Sequence, residues 1–285
     1  MEMQSRTVLI TGCSPGGIGY SLAREFHSRG FRVFGTARDR KALEILRENG
    51  IDAMELEITS DASIQHLKAQ IEQITGGSLD ILINNVGVSC TVPCLDLTLR
   101  DIKTVFEINL FGTMRMVQVF APLLIKSAGL IVNIGSVAGI VPYVFGGAYN
   151  ASKAALHSYS DVLKIEMAPL NVRVVTVITG GVRSNISQKK KSLPEDSLYW
   201  PIHEDYENRQ GNSQHSAMRS EEYARKVVDD LIHPRVTGWL WHGNKAHLVR
   251  ILYWILPFSF WTGYFSRKFG LYRLKLWWEQ NHGNK

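Results

Sequence analysis

Apolar residues fall into two kinds of run along this chain, and the two kinds alternate. The first is short and nearly continuous: Thr7 to Ile10, Phe31 to Ala37, Ile51 to Ile58, Leu79 to Ile83, Leu130 to Gly135 and Asn171 to Ile178. Runs of this length, mostly rich in Val, Ile and Leu and with little polar alternation, predict strands buried on both faces. The second kind is longer and spaced for a helix. It includes Leu22, Ala23 and Phe26 leading to Gly30, then Leu43 and Leu46 within Lys41 to Asn49. Ile64, Leu67, Ile71 and Ile74 follow Ser60, which reads as an N-cap. One helical stretch is predicted from Asp96 to Ser127, with Phe106, Leu110, Met114 and Val117 on its inner face. A last helix is predicted up to Ile232, with Ser220 as N-cap and His233-Pro234 as terminator. Strand alternating with helix predicts an α/β fold around a doubly wound parallel sheet.

Two segments depart from that rhythm. From Gln188 to Gln214 the chain is polar, with Lys189, Lys190 and Lys191 in a row and Pro194 and Pro201 beyond. It reads as a flap, about 186–215, over a substrate. The lysine run suits either a solvated face or a phosphate contact. After Gly243 the composition changes: six of the seven tryptophans lie from Trp239 onward, and the excess of basic over acidic residues is concentrated from Lys245 onward. The predicted organisation is therefore a single domain over 1–243 with an aromatic, basic appendage over 244–285. Ile251 to Ser266 is uncharged but interrupted by Pro257 and Gly263. As one helix it would reach about 24 Å against a hydrocarbon core of about 30 Å. Residues 245–278 are thus expected to lie on a membrane surface, to fold back as a lid or oligomer contact, or, least readily, to span a bilayer.

Composition adds bounds. A chain of 285 residues suits one core. Cys13, Cys90 and Cys94 cannot all pair and have no zinc spacing, so reduced thiols and no metal are expected. No charged segment followed by an apolar stretch marks a secretory signal near the N-terminus. The expectation is a protein on the cytoplasmic side, peripheral on endoplasmic reticulum or a lipid droplet, with no nucleic-acid partner.

The candidate chemistry lies at the predicted C-terminal ends of the strands, where such sheets bind ligands. Thr11 to Gly19, between the first strand and first helix, contains Gly12, Ser14, Gly17, Ile18 and Gly19. A glycine turn opening a helix lets backbone N–H groups approach a pyrophosphate, aided by the helix dipole. Arg38 ends the second strand, where a guanidinium suits the 2′-phosphate of NADP better than the free ribose of NAD. Glu57 is placed to reach the adenine. Asn84 and Asn85, with Gly87, end the fourth strand and line the floor beneath a cofactor. Ser136 follows the fifth strand, and Tyr149 and Lys153 are one helical turn apart. An ammonium beside a phenol lowers its pKa and lets it exchange a proton near neutrality. Asn109 interrupts an apolar helix face and needs buried partners. The loop from Gly180 to Ser184, with Val182, faces the nicotinamide end.

Taken in order, these motifs resemble the short-chain dehydrogenase/reductase family over roughly 6–243. The resemblance implies a Rossmann fold, an NAD(P) cofactor, a site of Ser136, Tyr149 and Lys153 completed by Asn109, and a homo-oligomer. Departures are a longer glycine loop through Pro15-Gly16, Val86 for alanine, Glu57 for aspartate, Thr179 for proline and Ser184 for threonine. Within the family the turn, the Thr36-Ala37-Arg38 strand end and Ile178 to Val182 are most similar to the fungal 1-acyldihydroxyacetone-phosphate reductase branch. The expected activity is NADPH-dependent reduction of a ketone on a lipophilic small molecule, with 1-acyldihydroxyacetone phosphate as the most specific candidate. A tailoring dehydrogenase or reductase of fungal polyketide or terpenoid metabolism is the alternative. A non-catalytic NADP-binding protein at membranes is a third.

Overall fold

Seven parallel strands form one sheet: β1 (Thr7–Ile10), β2 (Arg32–Ala37), β3 (Asp52–Glu55), β4 (Ile81–Asn84), β5 (Leu130–Ile134), β6 (Arg173–Thr179) and β7 (Gly238–His242). Their order is β3-β2-β1-β4-β5-β6-β7, so the winding reverses between β1 and β4. A crevice opens at such a reversal, beyond the carboxyl ends of the strands. The computed structural model describes residues 5–187, 191–212, 214 and 216–283.

Both faces of the sheet are covered, which is why the strand sequences lack polar alternation. Val8, Ile10, Ile81, Ile83, Val132 and Val175 face α1 (Ile18–Ser28), α2 (Arg40–Glu48) and, further along, the helix carrying Tyr223 and Val227. Leu9, Leu82, Ile131 and Val174 face α3 (Asp61–Thr75) and the helices carrying Phe120 and Leu163. Each such buried side chain contributes about 1.5–3 kcal/mol. Polar cross-links tie the layers together: Asn84 Nδ2 donates to Asn133 Oδ1 at 2.9 Å, and Asn133 Nδ2 to Ser160 Oγ at 2.8 Å.

Several predicted elements change in detail. The third strand is only four residues long: the Leu56 N–H makes a last bond to the Ala37 carbonyl of β2, and Glu57 then turns away to bond Ser63 and Thr59. The stretch from Asp96 to Ser127 is α4 (Leu99–Phe106) and α5 (Gly112–Lys126), joined by a wider turn over Glu107–Phe111 in which the Gly112 N–H reaches Glu107. That extra residue rotates the inner face, so Asn109, Thr113 and Met116 are buried while Phe106 and Met114 are only half-buried. Leu99–Lys126 is apolar and long enough to cross a membrane, but it is largely a core helix. Next comes α6 (Gly147–Met167).

The segment expected as a polar flap is instead built into the fold. It carries α7 (His203–Gly211), with Leu193, Ile202, Tyr206, Arg209 and Gln210 buried. In α8 (Ser220–Leu231), Ser220 is the first helical residue and Arg219 the N-cap, so Ser220 does not cap. The tail forms α9 (Ala246–Ile255), α10 (Phe258–Lys268) and α11 (Leu271–His282), and Pro257 breaks the uncharged run in two. Trp261, Phe265 and Phe269 pack on Val141, Phe145 and Tyr206 as a third apolar cluster beside the strand ends. Cys13, Cys90 and Cys94 are free thiols.

Candidate active site

Three loops converge at the reversal between β1 and β4. In the turn from Thr11 to Gly19, Gly12 adopts φ +75° and Gly17 precedes α1 without a capping side chain. The first N–H groups of α1 are thus left for an acceptor from outside. A Cβ on Gly19 would stand 2.4 Å from the Gly12 carbonyl oxygen, so only glycine allows the turn to close this tightly. Ser14 is exposed and accepts from the Gly17 N–H through its carbonyl, while Ile18 begins α1 and packs on the core. Asn85 Nδ2 donates to the carbonyls of Thr11 and Gly12 at 2.8 and 3.1 Å. Expected on the cofactor floor, this side chain instead braces the glycine turn.

At the adenosine side, Arg38 and Glu57 form an exposed pair at 3.3 Å, and Glu57 also accepts from Thr59. Although partial burial opposes it, these contacts hold the Glu57 carboxyl below its ordinary range. The two line an open cleft of about 650 Å³ together with Arg100 and Lys103. Those two cations were not legible as site residues, because only the fold brings α4 to the end of β2. Among the described residues no cluster suited to a metal ion is present.

At the nicotinamide side, β5 delivers Ser136 and α6 delivers Tyr149 and Lys153 to one place. The Lys153 Nζ donates to the Ile134 carbonyl oxygen at 2.8 Å, and burial lowers the ammonium to about 8. A Cβ on Gly87 would lie 3.7 Å from that Nζ. The phenol departs from expectation: burial pushes Tyr149 above its ordinary value, against the opposing pull of the Ser136 hydroxyl and the Arg209 guanidinium. One helical turn on, the Lys153 ammonium gives its hydrogen bond to the Ile134 carbonyl, and the shift of the phenol follows its burial. Ser136 Oγ meanwhile accepts from the Ala138 N–H at 3.1 Å. Asn109 is fully buried. Its Oδ1 accepts from the Val88 N–H at 2.8 Å, and its Nδ2 donates to Val88 O and Ser152 Oγ, both at 3.0 Å. Ser152 Oγ donates in turn to the Tyr149 carbonyl at 2.8 Å, so Asn109 steadies the turn of α6 that carries the phenol.

The Gly180–Ser184 loop follows β6. Val182 is buried, and the Ser184 N–H donates to Gln214 at 3.2 Å. Thr179, at the position where the family resemblance has proline, hydrogen-bonds Tyr223 at 2.7 Å in the core. Lys191 forms an ion pair with Asp101; Lys189 and Lys190, also considered for phosphate contact, lie outside the described residues.

Two residues beside this centre escaped sequence reading. His157 continues the Tyr149, Lys153 spacing by one more turn and sits behind Ser136. Arg209 lies in the segment read as a flap, and no local pattern marks it as buried. Turn, cation cleft and Ser136, Tyr149 and Lys153 together fit a dinucleotide whose reactive end lies by the phenol.

Comparison with known proteins agrees. A family model for short chain dehydrogenases matches residues 6–194. The chain is 38% identical over 275 residues to the short-chain dehydrogenase fogD of Aspergillus ruber, covering 96% of each chain. It is 38% identical over 266 residues to the NADPH-dependent 1-acyldihydroxyacetone phosphate reductase of Schizosaccharomyces pombe, covering 91% of this chain and 86% of that one. A crystallised short-chain dehydrogenase from Streptomyces avermitilis superposes with a TM-score of 0.75 over 100% of both chains, at 24% identity, a likeness in fold.

Proposed function

The chain belongs to the short-chain dehydrogenase family, and from that premise we propose that it reduces a ketone on a lipophilic molecule at the expense of NADPH. The observation that carries the reading is the convergence of Ser136, Tyr149 and Lys153 beside the glycine turn. The uncapped start of α1 would hold the pyrophosphate. Arg38, Arg100 and Lys103 would hold the 2′-phosphate. When bound there, the nicotinamide supplies a hydride to the carbonyl carbon.

The protein's own part is to manage the oxygen. Tyr149 gives its phenolic proton to the carbonyl oxygen as that oxygen becomes an alcohol. Ser136 donates a hydrogen bond to the same oxygen. Lys153 would hold the nicotinamide ribose and, while charged, would stabilise the phenolate left behind. Asn109 keeps the Tyr149 turn in place through Ser152. Ile140, Tyr143 and Val144, half-buried in the loop between Ser136 and Tyr149 and backed by the apolar cluster around Phe145, suit a hydrocarbon chain. The printed substrate of the Schizosaccharomyces pombe relative makes 1-acyldihydroxyacetone phosphate the first ketone to offer. NADPH oxidation followed with that ketone tests the reading; a purified, folded protein that oxidises no NADPH with any long-chain ketone overturns it.

We further place the tail at the cytoplasmic surface of a membrane. Trp254, Ile255 and Phe258, at the elbow between α9 and α10, are 82%, 70% and 65% exposed, with Arg250, Arg267 and Lys268 nearby in the chain.

A further inference from the structure

The turn that carries Ser136 is bounded by two glycines, Gly135 and Gly139, and one side chain fills the room that both leave. A Cβ on Gly135 would stand 2.4 Å from His157 Nε2, and a Cβ on Gly139 would stand 2.7 Å from its Cε1. His157 belongs to α6, one helical turn beyond Lys153, and is buried. Its ring centroid lies 5.4 Å from that of Trp239 on β7, and Trp239 Nε1 donates to Asp161 at 2.8 Å. The imidazole is thus a wedge supported from behind.

The polar contact of that wedge is with the backbone of the serine itself: Nε2 accepts from the Ser136 N–H at 3.2 Å. A ring nitrogen that accepts carries no proton, so Ser136 meets a neutral imidazole. The rest of the turn is closed by its own bonds. The Gly139 N–H donates to the Ser136 carbonyl at 3.0 Å, and the Ala138 N–H donates to Ser136 Oγ at 3.1 Å. One lone pair of the hydroxyl is committed in this way, which leaves its proton and its other lone pair for the phenol and the substrate oxygen. Where that proton points follows from where the Ser136 peptide stands.

We infer that His157 is a positioning residue for the reduction: through the Ser136 N–H and the two flanking glycines it sets the place of the Ser136 hydroxyl beside Tyr149. This rests on the carbonyl-reduction reading above and adds to it the group that holds the serine. Tyr149, Lys153 and His157 all project from α6. That helix therefore places the phenol and the ammonium directly, and the hydroxyl through the imidazole.

The test removes the acceptor and follows the effect through Ser136. His157→Leu keeps an apolar side chain in the wedge but leaves the buried Ser136 N–H unmet, whereas His157→Gln returns an acceptor at the place of Nε2. Each is measured for kcat and KM with 1-hexadecanoyl-dihydroxyacetone 3-phosphate or whichever long-chain ketone the wild type reduces, for NADPH affinity by fluorescence titration, and for amide exchange over residues 135–139 by mass spectrometry. In His157→Leu, kcat is expected to fall by about 10- to 100-fold, exchange in the turn to quicken, and NADPH affinity to stay within a few fold of wild type. His157→Gln should restore most of both losses. In a Ser136→Ala background the same His157→Leu change should cost less than about 3-fold, because the hydroxyl it places is already gone. A loss of the same factor with and without the Ser136 hydroxyl, or a His157→Gln variant as slow as His157→Leu, overturns the assignment. Should His157→Leu not fold, His157→Asn takes its place, since its amide reaches only the position of Nδ1 and still leaves the Ser136 N–H unmet. If the wild type turns over no ketone, the reductase reading fails on its own; exchange in the turn then decides the role of His157, and exchange unchanged in His157→Leu overturns it.

Discussion

The backbone N–H of Ser136 donates to Nε2 of His157 at 3.2 Å. That acceptor role requires a neutral ring with its proton on Nδ1. The ring is buried so close to β5 that a Cβ on Gly135 would stand 2.4 Å from Nε2. Burial first, and the Lys153 charge second, push its pKa from 6.5 down to about 3. Between those values the unfolded chain binds a proton that the folded chain refuses, so stability falls as pH drops from 6.5 towards 3. Thermal unfolding measured across that range should show this slope, and His157→Gln, which keeps an acceptor, should flatten it. An unchanged slope in the variant would assign the acid sensitivity elsewhere.

Tyr149 carries the proton in the proposed reaction. Tyr149→Phe keeps the ring and its packing while removing the hydroxyl, so turnover should fall by about 10²- to 10⁴-fold. NADPH affinity, measured by fluorescence titration, should stay within a few fold of wild type. A variant that retains most of its turnover would remove the phenol from the mechanism.

Lys153 sets an alkaline limit. Its ammonium is lowered to about 8 because burial penalises the charge. Above that value the group loses the proton that lets it stabilise a phenolate. In the reductive direction, kcat/KM is expected to decline as pH rises through about 8. Lys153→Met should have a lower rate throughout and no limb of that origin. A flat wild-type profile to pH 10 would contradict the assignment.

How much of this was legible beforehand follows from the range of each signal. The strands were readable because both faces of the sheet are buried, which leaves unbroken apolar runs such as Leu79 to Ile83. The glycine turn, Ser136, Tyr149 and Lys153 were readable because their spacing along the chain is itself the constraint. The direction of the Tyr149 shift was not, because it is set by how deeply the surrounding elements bury the ring, against the pull of Ser136 and Arg209 from other parts of the chain. Asn85 shows the same limit: its neighbours predict a floor, whereas its amide is used on carbonyls some seventy residues away. Arg209 sits in a polar stretch whose burial is created by Tyr143, a residue of a distant loop, and by Phe269 in the tail. Composition marked the tail as unusual, and only packing divides its aromatics into a buried set around Phe265 and an exposed set around Trp254.

Cofactor choice should respond to the cleft at the end of β2. Arg38 already shares its charge with Glu57 across an exposed pair at 3.3 Å, so it does not act alone, and Arg100 and Lys103 line the same cleft. Arg38→Ala is therefore expected to weaken NADPH by about 10-fold and leave NADH nearly unchanged, and adding Lys103→Ala should bring the two cofactors closer together. The readout is the ratio of kcat/KM for NADPH and NADH. A ratio unmoved by both substitutions would place the 2′-phosphate elsewhere.

The two aromatic sets of the tail make separable predictions about the membrane. Phe265 lies in the core with Tyr143 and Phe269, so Phe265→Ala should cost about 3–5 kcal/mol of stability without removing anything a bilayer touches. Trp254 and Phe258 stand exposed on either side of Pro257, so Trp254→Ser with Phe258→Ser should leave the fold intact while removing the side chains best suited to headgroup depth. The wild type is expected to sediment with vesicles rich in anionic phospholipid, the double variant to remain largely in the supernatant, and raised salt to weaken binding in part, since only the basic residues are screened. If the double variant sediments as fully as the wild type, the elbow is not the contact. If the wild type stays in solution and runs as a dimer that the double variant dissociates, the exposed aromatics meet a second copy of the chain and the membrane placement falls.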